Sequence, residues 1–144
     1  MQYIAMITGI AKIVGVPPYL LLAVCMTETN LTNAMLKHDG NSPTYGVCQI
    51  KAGTAFDLGY KGSPEGLMEP KTNVLYAAKY LKYQLDRYDG NFCKSISAYN
   101  AGSYIESQNS PGYPKNLRYV RNVQKNLAVE LQYMLSCYEE VAEE

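Results

Sequence analysis

Pro17-Pro18-Tyr19-Leu20-Leu21-Leu22-Ala23-Val24-Cys25-Met26-Thr27-Glu28-Thr29-Asn30 is the stretch on which the reading of this chain turns. From Tyr19 to Met26 it carries no charge and is almost wholly apolar, and Glu28 follows at once. Proline is tolerated in the first turn of a helix, so Pro17-Pro18 opens a helix that runs to about Thr29. Apolar on every side, that helix is expected at the buried centre of the fold. A carboxylate at the end of such a segment is costly to bury unless it is paired or protonated. Near a helix C-terminus the macrodipole also opposes negative charge, so both effects raise the pKa of Glu28. A carboxyl held protonated near neutrality is what a general acid needs. The competing reading is structural: a glutamate paired with an arginine or capping a backbone group.

Outward from this helix the pattern is helix, turn and helix again. No stretch alternates apolar and polar residues for long enough to predict a strand. Residues 2–14 read as a first helix, with Tyr3, Ile7, Ile10 and Val14 apolar and Gly15 as its stop. Residues 30–45 read as a polar loop, long for a compact domain, and loops of that length usually carry function. Tyr45-Gly46-Val47-Cys48-Gln49-Ile50 comes next, then a short helix near Ala52–Leu58. Pro70 starts the clearest helix, ending near Tyr88 before Asp89-Gly90. Val74, Ala77, Ala78, Leu81, Leu85 and Tyr88 share one of its faces, and Tyr76, Tyr80 and Tyr83 fall on nearly the opposite one. Such a helix is either sandwiched in the core or lines a groove. Asn91 caps the next helix, through Phe92, Ile96 and Tyr99 to Ala101-Gly102. A last helix is expected over about 116–140, with an acidic tail, 139–144, expected to fray. The fold class is therefore all-α: one domain, 1–144, with about six to seven helices around the buried helix 18–29.

Thirteen basic and thirteen acidic residues give zero formal net charge. No basic footprint points to nucleic acid. Fourteen tyrosines stand against two phenylalanines and no tryptophan. Tyrosine has an apolar face and a polar tip, which suits wet clefts as well as the rims of cores. Cys25, Cys48, Cys93 and Cys137 show no metal-binding spacing, and His38 is the one histidine. The expectation is no metal and no cofactor, with buried free thiols in a reducing compartment. Only Lys12 is charged in the first 27 residues. A signal peptide would carry its positive charge ahead of the apolar run. Pro17-Pro18 also divides that run into pieces shorter than the roughly 20 residues of a membrane helix. Taken as a full chain, it is expected to be made in the cytoplasm without its own signal peptide, to have no membrane span and to be monomeric.

An acid on an apolar helix, a long polar loop and a glycine turn bearing the amide of Gln49 suit sugar chemistry. Glycosidases normally use two carboxylates, and the candidate second acid is Asp39, in the loop. Four blocks then carry a family resemblance. Leu20 to Asn30 is similar to an apolar helix ending in Glu-Ser. Tyr45-Gly46-Val47-Cys48-Gln49-Ile50 is similar to a Gly-Leu-Met-Gln turn. Thr72-Asn73-Val74 with Ala77-Ala78-Lys79-Tyr80-Leu81 resembles a third block, and Ala98-Tyr99-Asn100-Ala101-Gly102 is identical to a fourth. Tyr119-Val120 resembles a Tyr-Val that follows. In order and spacing these resemble the lytic transglycosylases of the soluble-transglycosylase type, with a goose-lysozyme-like fold.

The resemblance implies that Glu28 is the single catalytic acid and base. It would protonate the glycosidic oxygen between N-acetylmuramic acid and N-acetylglucosamine in peptidoglycan. It would then take the proton of the muramyl 6-hydroxyl as a 1,6-anhydro ring closes. Gln49 looks like the amide that bonds sugar, Gly46 like the residue that keeps the backbone close to the glycan, and Tyr99 like the tyrosine pointing at the glutamate. Asn100 looks like the residue that fixes its turn. Ser42 and Tyr45 are further candidates for contact with sugar. The plain readings are core packing for Tyr99 and a helix stop for Asn100. Thr29 stands where the family usually has Ser and keeps a hydroxyl; Cys48 stands where Met is usual. His38 reads as a loop residue rather than a catalyst.

Two rivals stand beside a transglycosylase acting on glycan strands. One is a hydrolytic muramidase of the same fold, with Asp39 positioning water. The other, of a different class, is a non-catalytic peptidoglycan-binding or structural module. The compact domain suggests a phage endolysin or virion enzyme, or a module of a longer chain. It would reach the cell wall (the periplasm and murein) by phage delivery or holin release.

Overall fold

The computed structural model describes residues 3–38, 41–128 and 137. Helix α1 spans Ile4–Val14 and ends on Gly15, whose φ of 93° continues the chain through a left-handed turn. Helix α2 spans Pro18–Thr29, the bounds expected from the sequence. Pro18 occupies its first turn, and Asn30, at φ 52°, closes it by donating its N–H to Met26 O at 2.8 Å. Leu20, Leu21, Ala23, Val24 and Cys25 are buried, and burial of each large aliphatic side chain contributes about 1.5–3 kcal/mol. Tyr19, in the first turn, is 57% exposed, so one side of α2 meets water.

The long stretch after α2 is not a bare loop. Strands β1 (Met35–His38), β2 (Asn41–Tyr45) and β3 (Ile50–Lys51) form a small antiparallel sheet in the order β1-β2-β3. Met35 pairs with Tyr45, Leu36 with Thr44 and His38 with Asn41, and the register shifts between Leu36 and His38. Thr44 pairs with Lys51 and Tyr45 with Ile50. The alternation that would mark these strands is missing because β1 is exposed along its whole length and β2 carries Asn41, Ser42 and Pro43. A sheet with little of one face in the core leaves no period of two in its hydrophobicity.

Helix α3 (Ala52–Asp57) and a 3-10 helix (Pro64–Met68) lead to α4 (Pro70–Arg87). Glu69 caps α4, accepting from the backbone N–H groups of Lys71 and Thr72, and these bonds hold its carboxyl below the usual range. Val74, Ala77, Ala78, Leu81 and Leu85 are buried along one face. Helix α5 (Phe92–Ala101) begins with Asn91 accepting from Lys94 N at 3.0 Å and ends at Gly102, φ 87°. Helix α6 (Leu117–Asn126) buries Val120 and Val123. Leu127 is extended, with ψ 150°, so α6 ends well short of the expected residue 140. The acidic tail 139–144 lies outside the described residues. Helix α2 packs on α1, α4 and α6, and α5 bridges α4 and α6. The helical class is as the sequence implies, with the three-stranded sheet added on one side.

The expectation of free thiols is overturned. Cys25 is joined to Cys48 and Cys93 to Cys137. The partners lie 23 and 44 residues apart in sequence, separations that hid the pairing from any local spacing rule. Closing loops of that length restricts the unfolded chain by roughly 3–4 kcal/mol each.

Asn73, fully buried at the start of α4, ties the segment 45–50 to the helical body. Its Oδ1 accepts from Cys48 N at 2.9 Å, and its Nδ2 donates to Tyr45 O at 2.6 Å and Leu67 O at 2.8 Å. Asn73→Ala strands three buried backbone groups. Urea denaturation of the variant is expected to show a loss of about 3 kcal/mol, whereas a loss under about 1 kcal/mol would mean that water takes over these bonds.

Candidate active site

Glu28 lies in the last turn of α2, at the wall of an open cleft of about 420 Å³. The cleft is lined from several elements: His38, Asn41 and Thr44 of the hairpin, Gln49 to Lys51, Thr54 of α3, Tyr80 of α4, and Tyr99 to Gly102 at the end of α5. Among the described residues lining it, Glu28 is the one carboxyl. Burial raises its pKa from 4.5 to about 7, the hydrogen bond from Tyr119 pulling in the opposite direction. Tyr119 Oη donates to Glu28 Oε2 at 2.6 Å. Burial, the nearby charge of Glu28 and the bond itself push the Tyr119 phenol well above its ordinary value. The donor therefore stays protonated while the carboxyl is poised to titrate near neutrality.

The tyrosine on the carboxylate is thus Tyr119, not Tyr99. Tyr99 Oη donates instead to Cys48 O at 2.9 Å, and its ring packs 5.0 Å from that of Tyr80. Burial, then the charge of Glu28, raise the Tyr99 phenol well above its usual value. Tyr99 therefore packs in the core, lines the cleft and braces the 45–50 turn. Tyr119 was legible in the sequence only as part of a Tyr-Val pair with no assigned role, because 91 residues separate it from Glu28.

Gln49 reaches the cleft with its amide largely engaged. Its Nε2 donates to Ala34 O at 2.8 Å and Gly46 O at 2.9 Å. Its Oε1 accepts from Thr44 Oγ1, which also bonds His38 Nε2 at 2.9 Å. Since the Thr44 hydroxyl proton goes to Gln49, the His38 nitrogen is the donor in that second bond. His38, read as a loop residue, sits on β1 at the mouth of the cleft.

Gly46 has a different reason for being glycine than closeness to a glycan. Its φ is 80°, and a Cβ there would lie 2.3 Å from Nδ2 of Asn73. Tyr45 and Ser42 lie on β2 but not among the residues lining the cleft; the Tyr45 carbonyl serves Asn73. Asn100 lines the cleft, and its Oδ1 accepts from Asn116 Nδ2 at 2.9 Å, which joins the end of α5 to the start of α6. Thr29 Oγ1 donates to Val47 O at 2.7 Å, so the hydroxyl beside Glu28 fastens the turn to α2. Asp39, the candidate second acid, lies outside the described residues. Tyr80 lines the cleft, while Tyr76 packs edge-on against Tyr60 and Tyr83 is 51% exposed. The tyrosine face of α4 is therefore part groove and part rim.

The sequence matches the family described as "Transglycosylase SLT domain" over residues 5–116. The chain belongs to this family. Solved lytic transglycosylases share its fold. An inactive mutant of lytic transglycosylase Slt from Pseudomonas aeruginosa has a TM-score of 0.72 at 21% identity, over 96% of this chain and 25% of that one. The 70-kDa soluble lytic transglycosylase in complex with bulgecin A gives 0.60 at 24% identity, over 87% and 18%. The 70-kDa soluble lytic transglycosylase of Escherichia coli gives 0.53 at 25% identity, over 78% and 17%. The chain spans a quarter or less of the length of these proteins. In this SLT domain the family match stops at residue 116, just before α6. The tyrosine bonded to Glu28 thus comes from immediately beyond the matched stretch.

A carboxyl whose pKa is raised on folding binds its proton more tightly in the native state, so stability is full below pH 4.5 and falls as pH rises through about 7. Glu28→Gln removes that loss. It is expected to stabilise the domain by about 2 kcal/mol at pH 8 and by little at pH 4, less than the full shift implies because the side chain is partly exposed. Chemical denaturation at both pH values checks this. Tyr119→Phe deletes a bond to the charged form and is expected to raise the Glu28 pKa further, by about one unit, as followed by carboxyl-carbon NMR.

Proposed function

We propose that this chain is a peptidoglycan lytic transglycosylase with Glu28 as acid and then base. The observation that carries the reading is the Glu28 carboxyl itself: in a cleft, with a pKa of about 7, and held by the neutral donor Tyr119. At neutral pH a substantial fraction is protonated and can give its proton to a glycosidic oxygen. In the proposed reaction Glu28 protonates the oxygen of the β-1,4 bond between N-acetylmuramic acid and N-acetylglucosamine. The carbon–oxygen bond breaks, and the N-acetylglucosamine side leaves as an alcohol. The muramyl 6-hydroxyl attacks the anomeric carbon and returns its proton to the Glu28 carboxylate. The product is a 1,6-anhydro-muramyl end, no water is consumed, and Glu28 is restored. One carboxyl suffices for this sequence because the substrate brings its own nucleophile.

The amide of Gln49, committed to the backbone, acts here as a rigid wall rather than a mobile sugar ligand. Tyr80, Tyr99 and Asn100 offer aromatic and polar surface along the same cleft, and apolar ring faces with polar tips fit sugars. The enzyme works at the cell wall, outside a reducing cytoplasm, a placement supported by its two disulfides. Phage delivery and holin release are both routes that would bring it there.

Digestion of purified murein followed by mass spectrometry of the soluble fragments tests the reaction. Anhydro-muramyl ends are expected from wild type, and Glu28→Gln is expected to lower their release by about 1,000-fold. Reducing ends in place of anhydro ends would replace the reading with a muramidase. Binding of murein without release of fragments would point to a non-catalytic module. The value of kcat/KM is expected to be level at acid pH and to fall about tenfold per pH unit above pH 7, as the proton leaves Glu28.

A further inference from the structure

Cys25 and Cys48 lie beside the site without taking part in the proposed chemistry. Cys25 is on α2, one turn before Glu28, and Cys48 directly precedes Gln49. Both are fully buried, and their bond is the covalent link between the two segments, with Cα atoms 4.3 Å apart. We propose that this disulfide is a positioning pair for catalysis: it clamps the 45–50 turn against the helix that carries Glu28, so the site takes its working form only in the oxidised chain. This rests on the transglycosylase reading, because the group it positions for is the acid of that reaction.

The turn needs holding because its backbone does not favour its own conformation. Gln49 has φ 56°, in the left-handed region that a side-chain-bearing residue adopts at a cost. Hydrogen bonds from Thr29, Asn73 and Tyr99 reach the turn from α2, α4 and α5. Each can exchange for a bond to water if the turn lifts. A covalent bond to α2 cannot, and it fixes the distance between the Glu28 helix and the Gln49 wall. With the clamp open, water enters beside Glu28 and removes the desolvation that keeps its proton on.

Forming the bond takes two thiols, at Cys25 and Cys48, to one disulfide with loss of two protons and two electrons. A disulfide donor, such as glutathione disulfide or the active disulfide of an oxidoreductase, accepts them and is reduced to thiols. Because both residues are shielded from solvent in the fold, the exchange takes place while the turn is open, before the site is complete. The clamp is therefore set during folding and resists reductants afterwards.

The test compares wild type with Cys25→Ala/Cys48→Ala, using Cys93→Ala/Cys137→Ala to remove the other bond, at a temperature where circular dichroism shows all three folded. Two quantities are read: kcat on murein and the Glu28 titration by carboxyl-carbon NMR. The groups facing Glu28 are Tyr119 of α6 and Tyr99 of α5, with Tyr80 of α4, His38 of β1 and Lys51 of β3 on the same cleft. The substitutions change none of them. In the Cys25/Cys48 variant, kcat is expected to fall tenfold or more and the titration to move down from about 7. The Cys93/Cys137 variant is expected to keep both wild-type values while losing thermal stability. An unmoved titration with unchanged kcat would overturn the proposal. Should the first variant not fold, Cys25→Ala/Cys48→Val refills the lost volume and is read the same way. Oxidised wild type that releases no fragments would sink the transglycosylase reading alone, since the titration reports the clamp without turnover.

Discussion

The cleft depends on one seam, where the last turn of α2 meets the segment 45–50. That segment is buried, and buried backbone N–H and C=O groups must find partners. Thr29 serves Val47, Asn73 serves Cys48 and Tyr45, Tyr99 serves Cys48, and Gln49 folds back on Gly46 and Ala34. The side chains come from α2, α4, α5 and the turn itself, so three helices must be in place before its polar groups are satisfied. The acid at the end of α2 shares the cleft with Gln49 of that segment, and its own burial raises its pKa to about 7.

What was legible in the sequence follows from which forces act locally. Helix α2 announced itself because proline, an unbroken apolar run and an asparagine stop all act within a few residues. The starts of α4 and α5 follow from Pro70 and Asn91 for the same reason. Glu28 stood out because a carboxyl next to such a run conflicts with burial. The hairpin was invisible: β1 is exposed along its length, so no period of two was written into it. Its contribution to the cleft, through His38, Asn41 and Thr44, went unseen as well.

Most of the remaining misses share one cause, distance along the chain. Cys25 and Cys48 join across 23 residues, and Cys93 and Cys137 across 44. The hydroxyl on Glu28 comes from Tyr119 rather than from Tyr99, although Tyr99 sits in the more recognisable block. Gly46 is glycine because the Asn73 amide occupies the space of a Cβ. Gln49 spends its amide on the backbone, where a sequence reading would aim it at sugar. Gln49 apart, whose partners Gly46 and Thr44 are near in sequence, the residue type was visible and its partner was not, because elements distant in the chain meet in three dimensions.

The bond between Tyr119 and Glu28 spans 91 residues, and Asn126 Nδ2 reaches Thr27 Oγ1 across 99. Helices α2 and α6, far apart in the chain, meet at the acid. During synthesis, which proceeds from the N-terminus, the helix bearing Glu28 is finished long before α6 leaves the ribosome. Contacts of such separation are also late to form once the chain is free, since their loop-closure entropy must be overcome first. Until then the carboxyl has no phenol beside it. The hydroxyl on Glu28 therefore arrives with α6, and a nascent or clipped chain that stops before residue 117 carries the acid and the residues lining the cleft without it.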